Sequence, residues 1–463
     1  MNQDLTTGKP SSVLVRFTLP MFVSVVFQQL YNIADSMIAG RFAGEDALAA
    51  VGASYPITMI FMAVAVGSNI GCSVVVSSLF GGHEFRRLRT AVSTSLFTAL
   101  ALSLLLTAGG LAGTAGLMRL INTPENIFAD GALYLRIYIG GFTFLFLYNV
   151  VTGVFTALGD SRTPLYFLIG SSLGNIALDY IFVAWFHWGV AGVAWATFLA
   201  QGVAGALALL ALLGRMRALP AEGGGKAERF SWHMLGRIAG IAVPSILQQS
   251  SISIGNIFIQ SLINSYGSSV IAGYSAAVKL NTFTITSFTT LGNGVSNFTA
   301  QNLGAGKPDR VREGYRVGLA LAFAIAAPFF LAFCFAGNAM IGLFLEDGAP
   351  AAFETGRAFL RIVSPFYFVI CVKLLADGVL RGASAMAAFM VSTFTDLILR
   401  VVLSYVLAAG LGMGTTGIWL SWPIGWSIAT VISFGYYRSG RWQRLWRLHN
   451  GELPAEAESL PAE

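Results

Sequence analysis

Asp35 and Asp179 lie in long apolar stretches, and the first half of the chain places no Lys or Arg at comparable depth, so neither carboxylate has an obvious basic neighbour. A carboxylate in a low-dielectric setting is neutralised by a proton or by a nearby positive charge. Asn175 precedes Asp179 by one helical turn and shares its face. Counted at about 1.5 Å per helical residue, Asp35 lies roughly 28 Å from Arg16 and Asp179 roughly 24 Å from Thr163. Thr197 lies about 12 Å from the opposite end of its own apolar stretch. The four residues can therefore meet near one depth. Their carboxylate, amide and hydroxyl oxygens suit a hard cation such as sodium or a proton-accepting network. Sodium or a proton is thus the expected bound ion, Asp35, Asn175, Asp179 and Thr197 its expected ligands, and no catalytic residue is expected. A purely structural polar network is the alternative reading of the same four residues.

The second half carries its own buried charges. Lys373 and Asp377 are four residues apart, as are Asp396 and Arg400, and each spacing lets the pair share a helix face and neutralise itself. Lys279 has no partner by sequence and either crosses a cavity or snorkels toward the surface. With Gln248, these five residues form the candidate polar set of the second half. An ionisable residue at membrane depth costs about 2.5–3.5 kcal/mol on insertion scales, so each is a functional candidate until paired.

The elements that must hold these side chains follow from composition. Apolar residues make up 55% of the 463 and charged residues only 11%, with a mean hydropathy of +0.70. Soluble domains carry about 25% charge, so the chain reads as a multi-pass membrane protein. Apolar windows long enough to cross a bilayer, about 20 residues, occupy 13–39, 53–80, 91–117, 133–158, 164–185 and 190–213. Six more occupy 238–263, 270–298, 317–345, 359–380, 385–409 and 416–437. The expected fold class is all-α, with twelve transmembrane helices. Most of the 28 Lys and Arg fall on alternate loops and on both tails, which predicts cytoplasmic termini.

The two sets of six repeat one another. Pro20 meets Pro244, Gly82 meets Gly306 and Arg86 meets Arg310 at a shift of 224 residues; Gly153 meets Gly378, Tyr180 meets Tyr405 and Gly192 meets Gly417 at 225. Six spans per copy is an even number, so the copies are parallel repeats. The expected organisation is a lobe at 1–213, a glycine-rich linker at 214–237, a second lobe at 238–438 and a cytoplasmic tail at 439–463, with disorder expected after Asn450. Asp35, Asn175 and Asp179 align with Ile259, Arg400 and Ser404, so the ion-binding set belongs to one half only. Pro20 and Pro244 lie inside the first span of each copy, where a missing amide bends the helix, either as a static kink or as a moving one.

Several function classes are excluded. The net charge of +6 comes from dispersed loop residues rather than one basic face, which argues against nucleic acid. His83, His187, His233 and His449 are scattered, and the sequence has no HExxH, no GxSxG and no GxxxxGK[ST], so neither an enzyme nor an ATP-driven pump is expected. Cys72, Cys334 and Cys371 have no metal-ligand or disulfide spacing. The first apolar segment lacks a cleavage site and reads as a span rather than a signal peptide. A channel suits parallel six-span halves less well than alternating access does.

The segments FTLPMFVSVVFQQLYNIADSMIAGRFAG, LGNIALDYIF, GVAGVAWATFLAQ and NLGAGKPDR, with the repeat, resemble the multidrug and toxic compound extrusion (MATE) family over essentially the whole chain. That resemblance implies two six-helix bundles around a central cavity, no cofactor, and secondary antiport of organic cations and drugs against sodium or protons across the plasma membrane, the inner membrane of a bacterium. It also implies that Asp35, Asn175, Asp179 and Thr197 bind the ion and that Pro20 bends helix 1. Small-molecule organic cations and membrane lipids are the expected partners, and a monomer the expected state. A flippase of lipids or lipid-linked oligosaccharides is the alternative of related architecture. Three departures from the family pattern stand out: Asp179 is followed by Tyr180 where many relatives have proline, the seventh span has no acid where some members carry one, and Asp396 lies inside the eleventh span.

Overall fold

The computed structural model describes residues 4–38, 42, 45–121, 123–220, 227–344 and 350–449. Arg41, Lys226, the glycine-rich centre of the linker and the acidic tail after Asn450 lie outside the described residues. Among the described residues every regular element is helical. The first six spans are α1 (Pro10–Ile38), α2 (Glu45–Gly81), α3 (Phe85–Leu120), α4 (Glu125–Ala157), α5 (Arg162–Asp179) and α6 (Gly189–Arg217). The second set opens with α7 (Trp232–Asn264), α8 (Ser268–Gly304) and α9 (Pro308–Phe335), followed by the short α10 (Gly337–Ile341). It closes with α11 (Pro350–Val363), α12 (Tyr367–Gly382), α13 (Met386–Tyr405) and α14 (Thr415–Arg438), after which α15 (Arg441–His449) follows.

All twelve expected spans are present as helices. Ten are both long and apolar enough to cross a bilayer. The other two, α7 and α8, have ample length at 33 and 37 residues, but Ser, Thr, Asn and Gln are spread along them and lower their hydropathy. The tenth span, expected as one helix, is broken into α11 and α12 by a 3-10 turn at Ser364–Phe366. Pro365 accounts for the break, because it has no amide to donate and its ring crowds the preceding turn. Pro20 and Pro244 are tolerated inside α1 and α7, which continue through them.

The repeat is written into the backbone. A π-helical turn follows α5 at Tyr180–Trp185 and recurs after α13 at Val406–Gly410. Left-handed backbone appears at Gly159, His187 and Gly189, and again 225 residues later at Ser384, Gly412 and Gly414. Gly192 and Gly417 serve one purpose in both copies. A Cβ on Gly192 would lie 3.0 Å from Val183, and one on Gly417 would lie 2.7 Å from the Ala408 amide. Each glycine thus lets a helix start tightly against the preceding π turn.

The described residues form two compact units, one of Asp4 and Leu19–Ser250 and the other of Leu5–Thr18 together with the chain from Ser251 on. In the first, α4 packs against α2, α3 and α6, and α5 packs against α6. In the second, α12 packs against α8, α9 and α14, and α13 packs against α14. Residues 5–18 are part of the second unit. Arg310 donates to the carbonyls of Leu5, Thr7 and Gly8 and to Asn302 Oδ1. Lys307 Nζ donates to Thr6 O at 3.0 Å, and Leu5 is fully buried.

Candidate functional site

The site is assembled by the ends of α1 and α5, with α4 and α6 behind them. Asp160 starts α5: its Oδ1 accepts from the amides of Arg162 and Thr163 and its Oδ2 from the Thr163 hydroxyl, so the first-turn donors are satisfied. From that start α5 carries Asn175 and Asp179 on one face, both almost completely buried at 2% and 1% exposure. Asp179 is the last residue before the π turn. On α6, Thr197 faces them, and Asn175 Nδ2 donates to Thr197 Oγ1 at 3.4 Å. Asp35, near the end of α1, places its carboxyl group against that of Asp179.

All four expected ligands are therefore together in the first unit. Two residues join them that the sequence reading missed. The Tyr31 hydroxyl reaches Thr197 and lies close to both carboxylates. Its signal was present, since Tyr31 is one turn before Asp35 on the same helix face. Tyr134 on α4 also lies near Asp35 and Asp179 and packs against the cluster of Val183 and Val193. Nothing in the local sequence marked it, because packing of α4 against the π turn and α6 brings it there.

The donor and acceptor balance of the site is one-sided. Asp35 Oδ1, both Asp179 oxygens and Asn175 Oδ1 are buried and have no hydrogen-bond donor among the described groups. Ionised carboxylates accept and do not donate, so two facing ones cannot satisfy each other. At 4 Å and an effective dielectric of 20 two such charges repel by about 4 kcal/mol. A proton held between them or a cation bound by them removes that cost. The ion pairs Arg87–Glu84 and Lys373–Asp377 both lie away from this site. The donor set of two carboxylates, an amide oxygen and a hydroxyl fits a monovalent hard cation or a proton. No cluster of three His, Cys, Asp or Glu suited to a resident metal occurs among the described residues. Tyr31, Asn175 and Thr197 also line a cavity of about 110 Å³, whose polar wall includes Gln28, Asn149 and Gln201.

The second-unit candidates behave differently. Lys373 Nζ binds Asp377 Oδ2 at 2.7 Å, as the spacing predicted, and Ser433 Oγ bonds the other oxygen of Asp377. The expected Asp396–Arg400 ion pair is not formed. Arg400 instead stacks its guanidinium on the Trp422 ring, 4.6 Å from the centroid, and Asp396 turns toward α14, with its Oδ1 left without a hydrogen-bond partner. Equal spacing thus gave two outcomes, because α14 presents a serine to one pair and an indole to the other. Lys279 is exposed, with its Nζ 5.5 Å from the Phe344 ring centroid. Gln248 is half-buried on the stretch of α7 that belongs to the first unit.

Comparison with known proteins agrees with the helical fold and its internal repeat. A family model described as MatE matches the chain twice, over residues 20–181 and 244–406, in the register of the internal repeat. "Probable multidrug resistance protein YpnP" of Bacillus subtilis is 28% identical, the match covering 96% of this chain and 98% of that protein. The FAD transporter of Shewanella oneidensis is 24% identical, over 89% of this chain and 91% of its own. The structure of a MOP superfamily transporter from Pyrococcus furiosus shares the fold, with a TM-score of 0.89 at 23% identity, covering 96% of this chain and 98% of that one. The two family-model segments together span most of the chain, and the protein is a multi-pass membrane protein of the MatE family.

Proposed function

We propose that the protein is a secondary antiporter of the plasma membrane that exports organic cations in exchange for sodium or protons. The observation that carries the proposal is the facing pair Asp35 and Asp179, buried with Asn175 in a cluster of unpartnered acceptor oxygens. The ion or proton binds to Asp35, Asn175, Asp179 and Thr197, with Tyr31 and Tyr134 closing the shell. Ion binding favours one orientation of the carrier and substrate binding the other, and each must discriminate between the two states for exchange to be coupled. Pro20 supplies the bending point in α1, and residues 1–213 and 238–438 act as the two lobes. The polar and aromatic cavity beside the acids, with Gln28, Tyr148 and Met62 in its wall, suits a substrate that is recognised by shape and weak polar contact. The names of relatives that act on drugs or on a dinucleotide support a transported small molecule. The protein catalyses no reaction in this reading.

A lipid flippase would need basic groups free to hold phosphate. The interior cations of the second unit are engaged instead, Lys373 with Asp377 and Arg400 with Trp422, so the antiporter is the better reading. The test is efflux of a fluorescent organic cation from proteoliposomes under separate sodium and proton gradients, in wild type and Asp35→Asn. Efflux that is driven by one gradient and lost in the variant supports antiport and identifies the ion. Efflux driven by neither gradient, with labelled lipid-linked sugar crossing the bilayer, would replace the proposal with the flippase.

A further inference from the structure

The corner of the second unit where α9, α14 and α15 meet gathers basic side chains around a stacked aromatic mount. α14 ends at Arg438, Ser439 and Gly440 turn the chain, with Gly440 in the left-handed region at φ 70°, and α15 starts at Arg441. A span that crosses a bilayer leaves its last residues in the headgroup layer, so α15 begins in that layer too. The helix has two faces. Trp442, Leu445 and Trp446 share one side at helical spacing, and Arg441, Arg444 and Arg447 share the other.

Trp442 fixes α15 to the unit. It is buried, its Nε1 donates to Tyr437 O at 2.9 Å, and its ring lies parallel to that of Tyr437. Tyr437 in turn stacks on Tyr315 of α9 at 4.1 Å, and the Tyr315 hydroxyl donates to Val372 O. Arg312 and Arg316, which flank Tyr315 on α9, bring their charges close to Tyr437. Arg312, Arg316, Arg438, Arg441 and Arg447 are all exposed, and no carboxylate among the described residues forms an ion pair with any of them. Other arginines outside the spans are used within the protein. Arg87 pairs with Glu84, Arg89 donates to Met216 O and Leu219 O, and Arg310 holds the N-terminal carbonyls. An unpaired guanidinium presents a planar fork of donors that matches phosphate oxygens. A basic helix with indoles on its other face, set directly after a membrane span, fits a layer of anionic phosphate.

We propose that α15 and the adjoining ends of α9 and α14 form a docking surface for the headgroups of anionic phospholipids, whose phosphates bind Arg312, Arg316, Arg438, Arg441 and Arg447 and hold α15 on the bilayer. The acidic tail that follows, with Glu452, Glu456, Glu458 and Glu463, is the competing occupant. Lipid is favoured because Arg312, Arg316 and Arg438 sit at the ends of spanning helices, where headgroups lie whatever the tail does. This surface requires only a chain that spans the membrane and is independent of the transported substrate and of the coupling ion.

The test is amide exchange of the full-length protein in nanodiscs of phosphatidylcholine, with and without phosphatidylglycerol. An arginine near an anionic surface strengthens binding by about fivefold, so exchange over residues 441–447 is expected to slow by at least that factor when phosphatidylglycerol is present. Added salt should remove most of the effect. Arg441→Gln/Arg447→Gln is expected to lose most of the difference between the two lipids, and Arg441→Lys/Arg447→Lys to keep it. Unchanged exchange in α4 shows that each variant is folded. Equal exchange of the wild type in both lipids overturns the proposal, and if truncation after Asn450 then exposes the helix, the acidic tail is its occupant. A Gln variant that keeps the whole difference, or a Lys variant that loses it as fully as the Gln variant, overturns it as well, because charge would not be what the lipid reads.

Discussion

Asn175 on α5 donates to Thr197 on α6, and the residues 225 positions later, Arg400 and Trp422, meet in the same place on α13 and α14. One backbone framework therefore holds a neutral polar contact in one copy and a cation on an indole in the other. The π turns, the left-handed positions and the close-packed glycines are shared, so the difference lies in side-chain chemistry rather than in the path of the chain.

Asp179→Asn removes one of the two facing carboxylates and keeps the shape of the site. The remaining acid then has no like charge to neutralise, and the expected result is at least about a tenfold loss of ion-coupled efflux, a change of about 1.4 kcal/mol. Thermal stability should hold or rise, since a buried repulsion is removed. Gradient-driven transport and a melting curve on the same preparation check both parts.

Thr197→Val removes the acceptor for Asn175 and one oxygen of the ligand set. The loss of a neutral hydrogen bond is worth roughly 1 kcal/mol, so ion affinity should fall by about fivefold. Efflux at saturating ion should stay near wild type. Transport measured against ion concentration separates this outcome from a general loss of activity.

Asp377→Asn strands Lys373 in the interior, where breaking a buried pair costs about 3–5 kcal/mol. The melting temperature in detergent should fall clearly. Adding Lys373→Met removes the stranded charge and should recover most of the loss. A double variant no more stable than Asp377→Asn alone would show that Ser433, rather than Lys373, is the partner that matters to Asp377.

Arg310→Ala frees the carbonyls of Leu5, Thr7 and Gly8, which the guanidinium holds against the second unit. Hydrogen bonds to a charged donor are worth about 1.5–3 kcal/mol each, so amide exchange over residues 5–8 should quicken by at least about tenfold. Exchange in α4 and α6, which belong to the other unit, should be unchanged.

Gly417→Val places a Cβ 2.7 Å from the Ala408 amide and should abolish the tight start of α14, with loss of folded protein. Gly435→Ala, near the end of the same helix, meets nothing within 4 Å. It should be neutral or stabilising by up to about 1 kcal/mol, because alanine restricts the unfolded chain. Yield of monodisperse protein after solubilisation compares the two.

The helices, their repeat and the isolation of Asp35 and Asp179 from basic residues are legible in the order of residues alone. Those are linear properties: a bilayer fixes the length of an apolar run, and a buried acid without a basic neighbour shows in the order of residues. The same order marks Asn175 and Thr197, because helical spacing and rise give face and depth. Which side chains complete the site and which charges pair depends on how the helices pack. Tyr134 is brought to the acids by the packing of α4 against the π turn, where it meets Val183, far from it in sequence. Lys373–Asp377 and Asp396–Arg400 have the same spacing, yet the first pair closes and the second opens, because α14 offers Ser433 to one and Trp422 to the other. Spacing along a helix says which groups can meet, and the neighbouring helix decides whether they do.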